Sequence, residues 1–242
     1  MAITHKFYQE NFGNGFETVN AVLNVTYKPE IMIIGTYNPC VPTNNADFFY
    51  GRNFFWTGIK NLITHNELVI LQKRNFTNPL NPTLPEIFEL CQSLKLSFAD
   101  LILQVFPNTN DYELLPRNKV NFNGQNISLI NDNGLAQLNQ MGQVDWNINN
   151  IVRYLNENPS IKRIYFTRKA TGIWNQPWNQ IVEQANAEDR IFTNIFTPSG
   201  QGRPVYHSMS RLLNHWVHNQ NPNFGKIDNE WLVAKGVILN NF

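Results

Sequence analysis

The sequence predicts an α/β protein, a single-domain three-layer sandwich in which a mainly parallel central sheet is flanked by helices. One observation behind this prediction is the apolar run 31–35, IMIIG, which stops at a glycine and is typical of a strand buried on both faces. The next segment has the spacing of an amphipathic helix, and strand-like and helix-like segments alternate from there onward. Such alternation is typical of βαβ units, whose strands lie parallel.

The first predicted helix covers 54–71, where Phe55, Ile59, Leu62 and Ile63 recur at the spacing of one helix face. The later predicted strands are 96–107, one or two near 126–130, 161–167 and the start of 189–200. The later predicted helices begin at Pro85 and otherwise occupy 149–158, 176–188 and 206–219. We interpret the chain as a lead-in, an α/β domain and a C-terminal extension, with bounds 1–29, 30–216 and 217–242.

The composition excludes several classes of protein. A formal net charge of +1 and a pI near 7.8 argue against holding nucleic acid by bulk electrostatics, although a local basic face remains open. Two cysteines, Cys40 and Cys91, are too few for a disulfide framework, a four-cysteine zinc site or an iron–sulfur cluster. The N-terminus lacks a signal-peptide pattern, and no apolar run approaches the roughly 20 residues of a membrane span. We therefore expect a cytoplasmic protein, monomeric and without membrane contact.

Two loops with unusual chemistry follow predicted strands. They are 35–39, Gly-Thr-Tyr-Asn-Pro, and 197–203, Thr-Pro-Ser-Gly-Gln-Gly-Arg. Because the carboxyl ends of parallel strands meet at one edge of a sheet, we expect these loops to form two sides of one cleft. The aromatic segment 49–56, FYGRNFFW, supplies a wall. Such a cleft suits a flat, hydrogen-bonding ligand such as a nucleobase.

The order of these motifs resembles the uracil-DNA glycosylase superfamily, in particular its mismatch-specific and hypoxanthine-type branches. The resemblance covers residues 30–216 and is carried by the first loop, the NFFW patch at 53–56 and the late Pro-Ser-Gly-x-x-Arg turn. It implies a DNA repair enzyme that flips a deaminated or mismatched base, uracil or hypoxanthine, out of DNA. The enzyme hydrolyses the N-glycosidic bond of that base with a positioned water, as the first step of base excision repair. No metal or cofactor is implied.

The resemblance also implies roles for individual residues. Asn38 falls at the position that places the attacking water. The first loop has one residue more between glycine and asparagine than the mismatch-specific motif, so Tyr37 is an alternative catalytic residue. Asn108 or Asn110 is a reserve candidate, by similarity to the hypoxanthine-type branch. The implied base-binding residues are Gly35, Thr36, Asn53, Phe55 and Ser199. The implied DNA-binding residues are Pro198, Gly200, Gln201 and Arg203.

Other interpretations of these residues stay open. Arg168 and Lys169 end the most basic short segment, where they are phosphate contacts or solvated charges. Asp100 either orients a loop or caps a strand, and a catalytic role requires that it be buried. Because the chain contains 38 asparagines, a single asparagine carries little weight. His215 and His218 are spaced for a metal, but no third ligand lies near them in the sequence.

Two alternative functions compete with the glycosylase. One is a catalytically inactive nucleic-acid-binding or base-sensing module of the same fold, which the extra residue in the first loop and the near-neutral charge favour. The other is an enzyme that acts on free nucleotides, which the near-neutral charge also allows.

Overall fold

The structure, a computed structural model, describes residues 1–51, 54–67, 81–185, 189–198, 209–219 and 222–242. In chain order the strands in these residues are β1 (Ile3–Thr4), β2 (Asn11–Gly13), β3 (Phe16–Val19), β4 (Val22–Val25), β5 (Ile31–Gly35), β6 (Leu96–Asp100), β7 (Ile102–Val105), β8 (Tyr112–Leu115), β9 (Lys119–Phe122), β10 (Gln125–Ser128), β11 (Val144–Trp146), β12 (Arg163–Phe166) and β13 (Ile191–Asn194). The α-helices are α1 (Phe54–Lys60), α2 (Leu84–Leu94), α3 (Asp132–Gln140), α4 (Ile148–Glu157), α5 (Asn175–Gln184), α6 (Met209–Val217) and α7 (Asn229–Ala234).

Within the described residues, the large sheet has seven strands in the order β13-β12-β5-β6-β4-β3-β2. The four strands from β13 to β6 lie parallel, whereas β4, β3 and β2 are added in antiparallel fashion. In the parallel half, Ile34 pairs with Phe166 of β12 and with Ala99 of β6, and Gly35 pairs with Asp100. The carboxyl ends of β5, β6 and β12 therefore lie side by side at one edge.

The prediction of a three-layer sandwich with a mainly parallel central sheet is wrong. Half of the strand pairings in the large sheet are antiparallel, and two further three-stranded sheets, β1-β7-β11 and β10-β9-β8, are antiparallel throughout. The error arose in two stretches with short strands, residues 1–29 and 108–150. Strands of two to four residues joined by tight turns are too short to show a clear hydrophobic period.

The apolar core lies on both faces of the large sheet. Ile31 and Ile33 of β5 belong to one buried cluster, and Met32 and Ile34 belong to another, as the alternation of side chains along a strand requires. Residues of α1, α2, α6 and α7 contribute to the first cluster, and residues of α3, α4 and α5 contribute to the second. The continuous apolar run at 31–35 is explained by this burial on both faces.

The chain bends where β6 ends, which separates two of the sheets. The predicted strand 96–107 is in fact β6 followed by β7, with Leu101 between them. The N–H of Leu101 donates to the carbonyl of Gly35, and the N–H of Ile102 donates to that of Thr36. β7 then pairs with β1, so the N-terminus reaches the edge where β5 and β6 end.

The segments predicted as a lead-in and an extension contribute to this architecture. Residues 1–29 form β1 to β4, and residues 217–242 contain α7. Among the described helices, none is long and apolar enough to cross a membrane.

Candidate functional site

A cavity of about 400 Å³ opens where the parallel strands end. Gly35 of β5, Asp100 of β6 and Thr167, which directly follows β12, line it together with Pro198, four residues after β13. Ligands of open α/β sheets commonly bind at this edge. The two loops that the sequence analysis singled out therefore both contribute to one cavity, the first with Gly35 and the second with Pro198.

Asp100 is the buried carboxylate of this cavity, with only 2% of its surface exposed. Its Oδ2 lies 2.7 Å from Nε2 of His5 and accepts a hydrogen bond of 2.9 Å from Nδ2 of Asn38. Its Oδ1 has no hydrogen-bond partner among the described residues. One carboxylate oxygen is thus fixed by two donors, and the other is left for a ligand or a water molecule.

His5 reaches Asp100 because the N-terminal segment is held against the loop after β5. The N–H of Lys6 donates to the carbonyl of Asn38 at 2.7 Å, and the N–H of Cys40 donates to that of Thr4 at 2.9 Å. These two hydrogen bonds fix the main chain on either side of His5.

The tautomer of His5 follows from its second hydrogen bond. The N–H of Phe7 donates to Nδ1 of the imidazole at 3.0 Å, so Nδ1 carries a lone pair. The proton is therefore on Nε2, and a neutral His5 donates it to Asp100. The ring is buried and stacks on Phe49, with 5.8 Å between ring centroids. His5 is thus a fixed donor that orients the carboxylate.

Gly35 is required by the position of that carboxylate. A Cβ atom at this residue would lie 2.1 Å from Oδ1 of Asp100 and 3.1 Å from the hydroxyl oxygen of Tyr50. No side chain fits there unless Asp100 moves. The glycine that ends the first strand therefore admits a buried carboxylate from the neighbouring strand.

Tyr50 forms another part of the cavity wall. Its φ of 63° lies in the left-handed region, which is uncommon for a bulky residue and is found where surrounding structure imposes it. The Tyr50 hydroxyl and Oγ1 of Thr167 share a hydrogen bond of 2.8 Å, and Oγ1 of Thr167 also lies 3.3 Å from the carbonyl oxygen of Ile34. Burial, followed by the negative charge of Asp100, raises the pKa of Tyr50 well above its usual range. The phenol therefore stays protonated.

Phe55, the predicted stacking residue, lies behind Tyr50 and does not line the cavity. Only 1% of its surface is exposed, and its ring stacks on that of Tyr50 with 4.3 Å between centroids. Of the described residues, the aromatic ones in the cavity wall are Tyr37 and Tyr50.

The other predicted residues of the first loop all lie at the cavity. Thr36, Tyr37 and Asn38 line it, as Gly35 does. The ring of Tyr37 is buried and its hydroxyl donates to the carbonyl of Ile3 at 2.7 Å, which occupies that proton. Asn38 is the residue of this loop whose side chain contacts Asp100.

Only some of the predicted DNA-binding residues lie at the cavity. Pro198 and Arg168 line the cavity, and the guanidinium of Arg168 pairs with Asp132 and lies 5.6 Å from the ring centre of Trp174. Lys169 is exposed and is not part of the cavity wall. Asn53, Ser199, Gly200, Gln201 and Arg203 lie outside the described residues.

The two reserve candidates, Asn108 and Asn110, are exposed and do not line the cavity. The residues that the sequence did not single out are His5, Tyr50 and Thr167. His5 gave no local signal, because it stands in a segment without a period and meets Asp100 only through the pairing of β1 with β7.

The cavity has the chemistry of a site for a polar, uncharged ligand. Of the described residues that line it, the charged ones are Asp100 and Arg168. Most of the others are amides, hydroxyls and backbone groups, including Thr36, Asn45 and Asn118. In the described part of the chain, no group of three or more His, Cys, Asp and Glu side chains could hold a metal ion.

Neither a family model, nor a curated protein, nor a solved structure matches this chain.

Proposed function

We propose that the chain is a DNA glycosylase that hydrolyses the N-glycosidic bond of a deaminated or mismatched base, uracil or hypoxanthine, after the base is flipped from DNA into this cavity. The observation that carries the proposal is the Asp100 carboxylate, which is buried, fixed through Oδ2 and without a described partner at Oδ1. A carboxylate held in this way can bind and deprotonate one water molecule.

Asp100 suits the charge that develops in the reaction. As the bond between C1′ and the base nitrogen breaks, positive charge grows on the sugar and the electron pair leaves with the base. A fixed carboxylate in a poorly solvated site stabilises that positive charge. The water gives its oxygen to C1′ and a proton to Asp100, and the departing base takes up a proton in turn.

Asn38 orients the same water in this proposal. Its Nδ2 donates to Asp100, which leaves its Oδ1 as an acceptor close to the carboxylate. A water molecule bound by Oδ1 of Asp100 and Oδ1 of Asn38 would have both protons directed and a lone pair free for C1′. The amide predicted to position the water thus acts together with a carboxylate.

The size and polarity of the cavity support a nucleobase as the ligand. Its volume of about 400 Å³ lies at the lower end of the range for small-molecule sites, which is roughly 300–1,000 Å³. The hydroxyl oxygen of Tyr50 and the side chains of Thr36 and Asn45 offer acceptors and donors for the edge of a base. We also propose a cytoplasmic location, which the free thiols of Cys40 and Cys91 support.

The test is cleavage of labelled oligonucleotides that contain uracil, hypoxanthine, xanthine or mismatched thymine. Wild type is compared with Asp100→Asn and with Asp111→Asn, a matched change at an exposed aspartate outside the cavity. We expect wild type and Asp111→Asn to leave abasic sites, and Asp100→Asn to lose at least about 100-fold in rate. Equal rates for all three proteins would remove Asp100 from the reaction.

Two other outcomes would replace the proposal. Salt-dependent binding of DNA without any abasic product would favour an inactive base-sensing module. Hydrolysis of free nucleosides or nucleotides, with oligonucleotides left intact, would favour an enzyme of nucleotide metabolism.

A further inference from the structure

The small sheet β10-β9-β8 has an open edge at β8. In the described part of the chain, β8 pairs with β9 and with no other strand. Alternate residues of an antiparallel strand point their N–H and C=O groups toward the partner strand, and the residues between them point these groups away. β8 therefore carries a row of backbone donors and acceptors to which another strand can add.

Other edge strands are shorter or more shielded than β8. β10, on the other side of the small sheet, ends against α3, where a Cβ atom at Gly134 would lie 2.1 Å from the carbonyl oxygen of Ser128. At one edge of the large sheet, the end of β13 is covered by a later segment, because the N–H of Gly225 donates to the carbonyl of Asn194 at 2.7 Å. At the other edge, β2 has three residues and an irregular register. Of these four edge strands, β8 is the one most open to a second strand.

Leu114 of β8 ends an apolar row and leaves that row uncovered. It lies opposite Val120 of β9, which lies opposite Ile127 of β10. Val120 is 0% exposed and Ile127 is 1% exposed, whereas Leu114 is 47% exposed. Side chains that lie opposite each other in a sheet pack against each other. A leucine on an added strand would therefore continue the row and remove apolar surface of Leu114 from water.

The charges along this edge decide which strand fits it. Asp111 and Glu113 precede Leu114. Arg117 and Lys119 follow it, and all four charged residues are exposed and form no ion pair among the described residues. Charges on an edge strand commonly keep other strands away. Here the acidic half attracts the basic half of an identical strand that runs in the opposite direction, because opposite charges across a strand pair are favourable.

The register of such a pair follows from Leu114. When the Leu114 residues of two copies lie side by side, Asp111 falls opposite Arg117 of the partner subunit. A two-fold axis repeats this contact, so each copy contributes one acid and one base. The apolar and the charged contacts thus favour the same antiparallel arrangement.

We infer that two copies of this chain associate along β8, antiparallel around Leu114, and join their small sheets into one continuous sheet. The occupant of the open edge is a second copy, because the charge order of the strand is complementary to itself. The interface borders the cavity, since Asn118 in the turn between β8 and β9 lines it. The inference does not depend on the proposed function, and it departs from the monomer expected from the sequence.

The first test is sedimentation equilibrium of the wild-type chain over a wide range of protein concentrations. Small interfaces associate weakly, so we expect a reversible dimer with a Kd of about 1 to 100 µM. The average mass should rise from 28.1 kDa toward twice that value as the concentration increases. A mass that stays at 28.1 kDa up to about 500 µM would overturn the inference.

Leu114→Asp tests whether β8 is the interface. The change removes the apolar contact and sets two like charges side by side, so we expect the Kd to rise about 100-fold. Ile191→Asp is the matched control, because Ile191 is 52% exposed and begins the edge strand β13. It should dimerise like wild type. An equal or larger effect of Ile191→Asp would place the contact elsewhere and refute the pairing along β8.

A charge exchange tests the register and does not alter the apolar row. Arg117→Asp should keep the fold, since Arg117 is exposed and its φ of 61° is one that aspartate adopts more readily than most residues. Facing Asp111 of the partner subunit, the new carboxylate should raise the Kd about 10-fold. Adding Asp111→Arg restores opposite charges, and the Kd should return to within about 3-fold of wild type. Failure of the second change to recover dimerisation would refute this register.

Discussion

Nε2 of His5 lies 2.7 Å from Oδ2 of Asp100, although 95 residues separate the two in the chain. Both side chains are buried, and the neutral imidazole donates to the carboxylate. The hydrogen bond couples the N-terminal segment to the end of β6, so the first residues of the chain hold in place the carboxylate that lines the cavity.

His5→Ala should destabilise the fold, because it leaves one oxygen of a buried carboxylate with a single donor. We expect the free energy of unfolding to fall by about 3 kcal/mol, as found when a hydrogen bond to a charged group is broken and its partner stays buried. Urea unfolding measures this, with His218→Ala as the control at an exposed histidine. A change below about 0.5 kcal/mol, the usual size for surface substitutions, would contradict the coupling.

Gly35→Ala should strongly reduce activity by displacing Asp100. A methyl group 2.1 Å from Oδ1 forces the carboxylate to move, and a displacement of about 1 Å in a catalytic group costs on the order of 100-fold in rate. Gly142→Ala is the comparison, since Gly142 has a φ of 67° and open space around it. That variant should lose stability through backbone strain and keep its rate per folded molecule. Similar rates for both alanine variants would show that a glycine at position 35 is not needed to keep Asp100 in its catalytic position.

Asn38→Ala should reduce the rate less than Asp100→Asn does. The carboxylate keeps its hydrogen bond to His5, and only one donor to a charged group is lost, which corresponds to about 10- to 100-fold. Asn108→Ala, at an exposed asparagine outside the cavity, should cleave like wild type. The measurement is single-turnover cleavage of the best oligonucleotide. If Asn108→Ala lost activity and Asn38→Ala kept full activity, the role of positioning the water would belong to Asn108 instead of Asn38.

His215→Phe should reduce the sensitivity of stability to acid. Burial lowers the pKa of His215, whose ring stacks on Phe196 at 4.2 Å and whose Nδ1 has no hydrogen-bond partner in the described structure. The unfolded chain therefore takes up a proton near pH 6.5 while the folded protein does not. The contribution of neutral His215 to stability is fully present above that pH, and it is lost as the pH falls toward the lower pKa of the folded state.

The phenylalanine variant removes this proton uptake and keeps the stacking. We expect the loss of free energy of unfolding between pH 7.5 and pH 5 to be smaller in His215→Phe than in wild type. His218→Phe, at an exposed histidine, should retain the wild-type dependence. Parallel curves for wild type and His215→Phe would refute the assignment.

The parallel half of the large sheet was readable from the sequence. The apolar run 31–35 and the segment 161–167 are strands β5 and β12, and the predicted helices at 149–158 and 176–188 correspond to α4 and α5. These elements are long or fully buried, so the spacing of their apolar residues shows directly which of their faces are buried. The position of the first loop at a cavity followed from the same reasoning.

The antiparallel half was missed, although one signal for it was present. Asn123-Gly124, with φ of 51° and 73°, forms the two-residue turn between β9 and β10, and Asn-Gly between short strands is a strong hairpin signal. The hairpin of β3 and β4 turns at Asn20-Ala21 with φ of 52° and 55°. Alanine is rare in that conformation, so this second turn had no comparable signature.

By itself the sequence determined the buried strands, the main helices and the polar loop that follows Gly35, because these depend on neighbours within one element. The partner of Asp100 was decided only by the tertiary structure. His5 and Asp100 are 95 residues apart, and they meet because β1 pairs with β7 after the chain bends at Leu101. A contact that depends on strand pairing produces no pattern of apolar and polar residues in the sequence near His5 or Asp100, so only the folded structure reveals it.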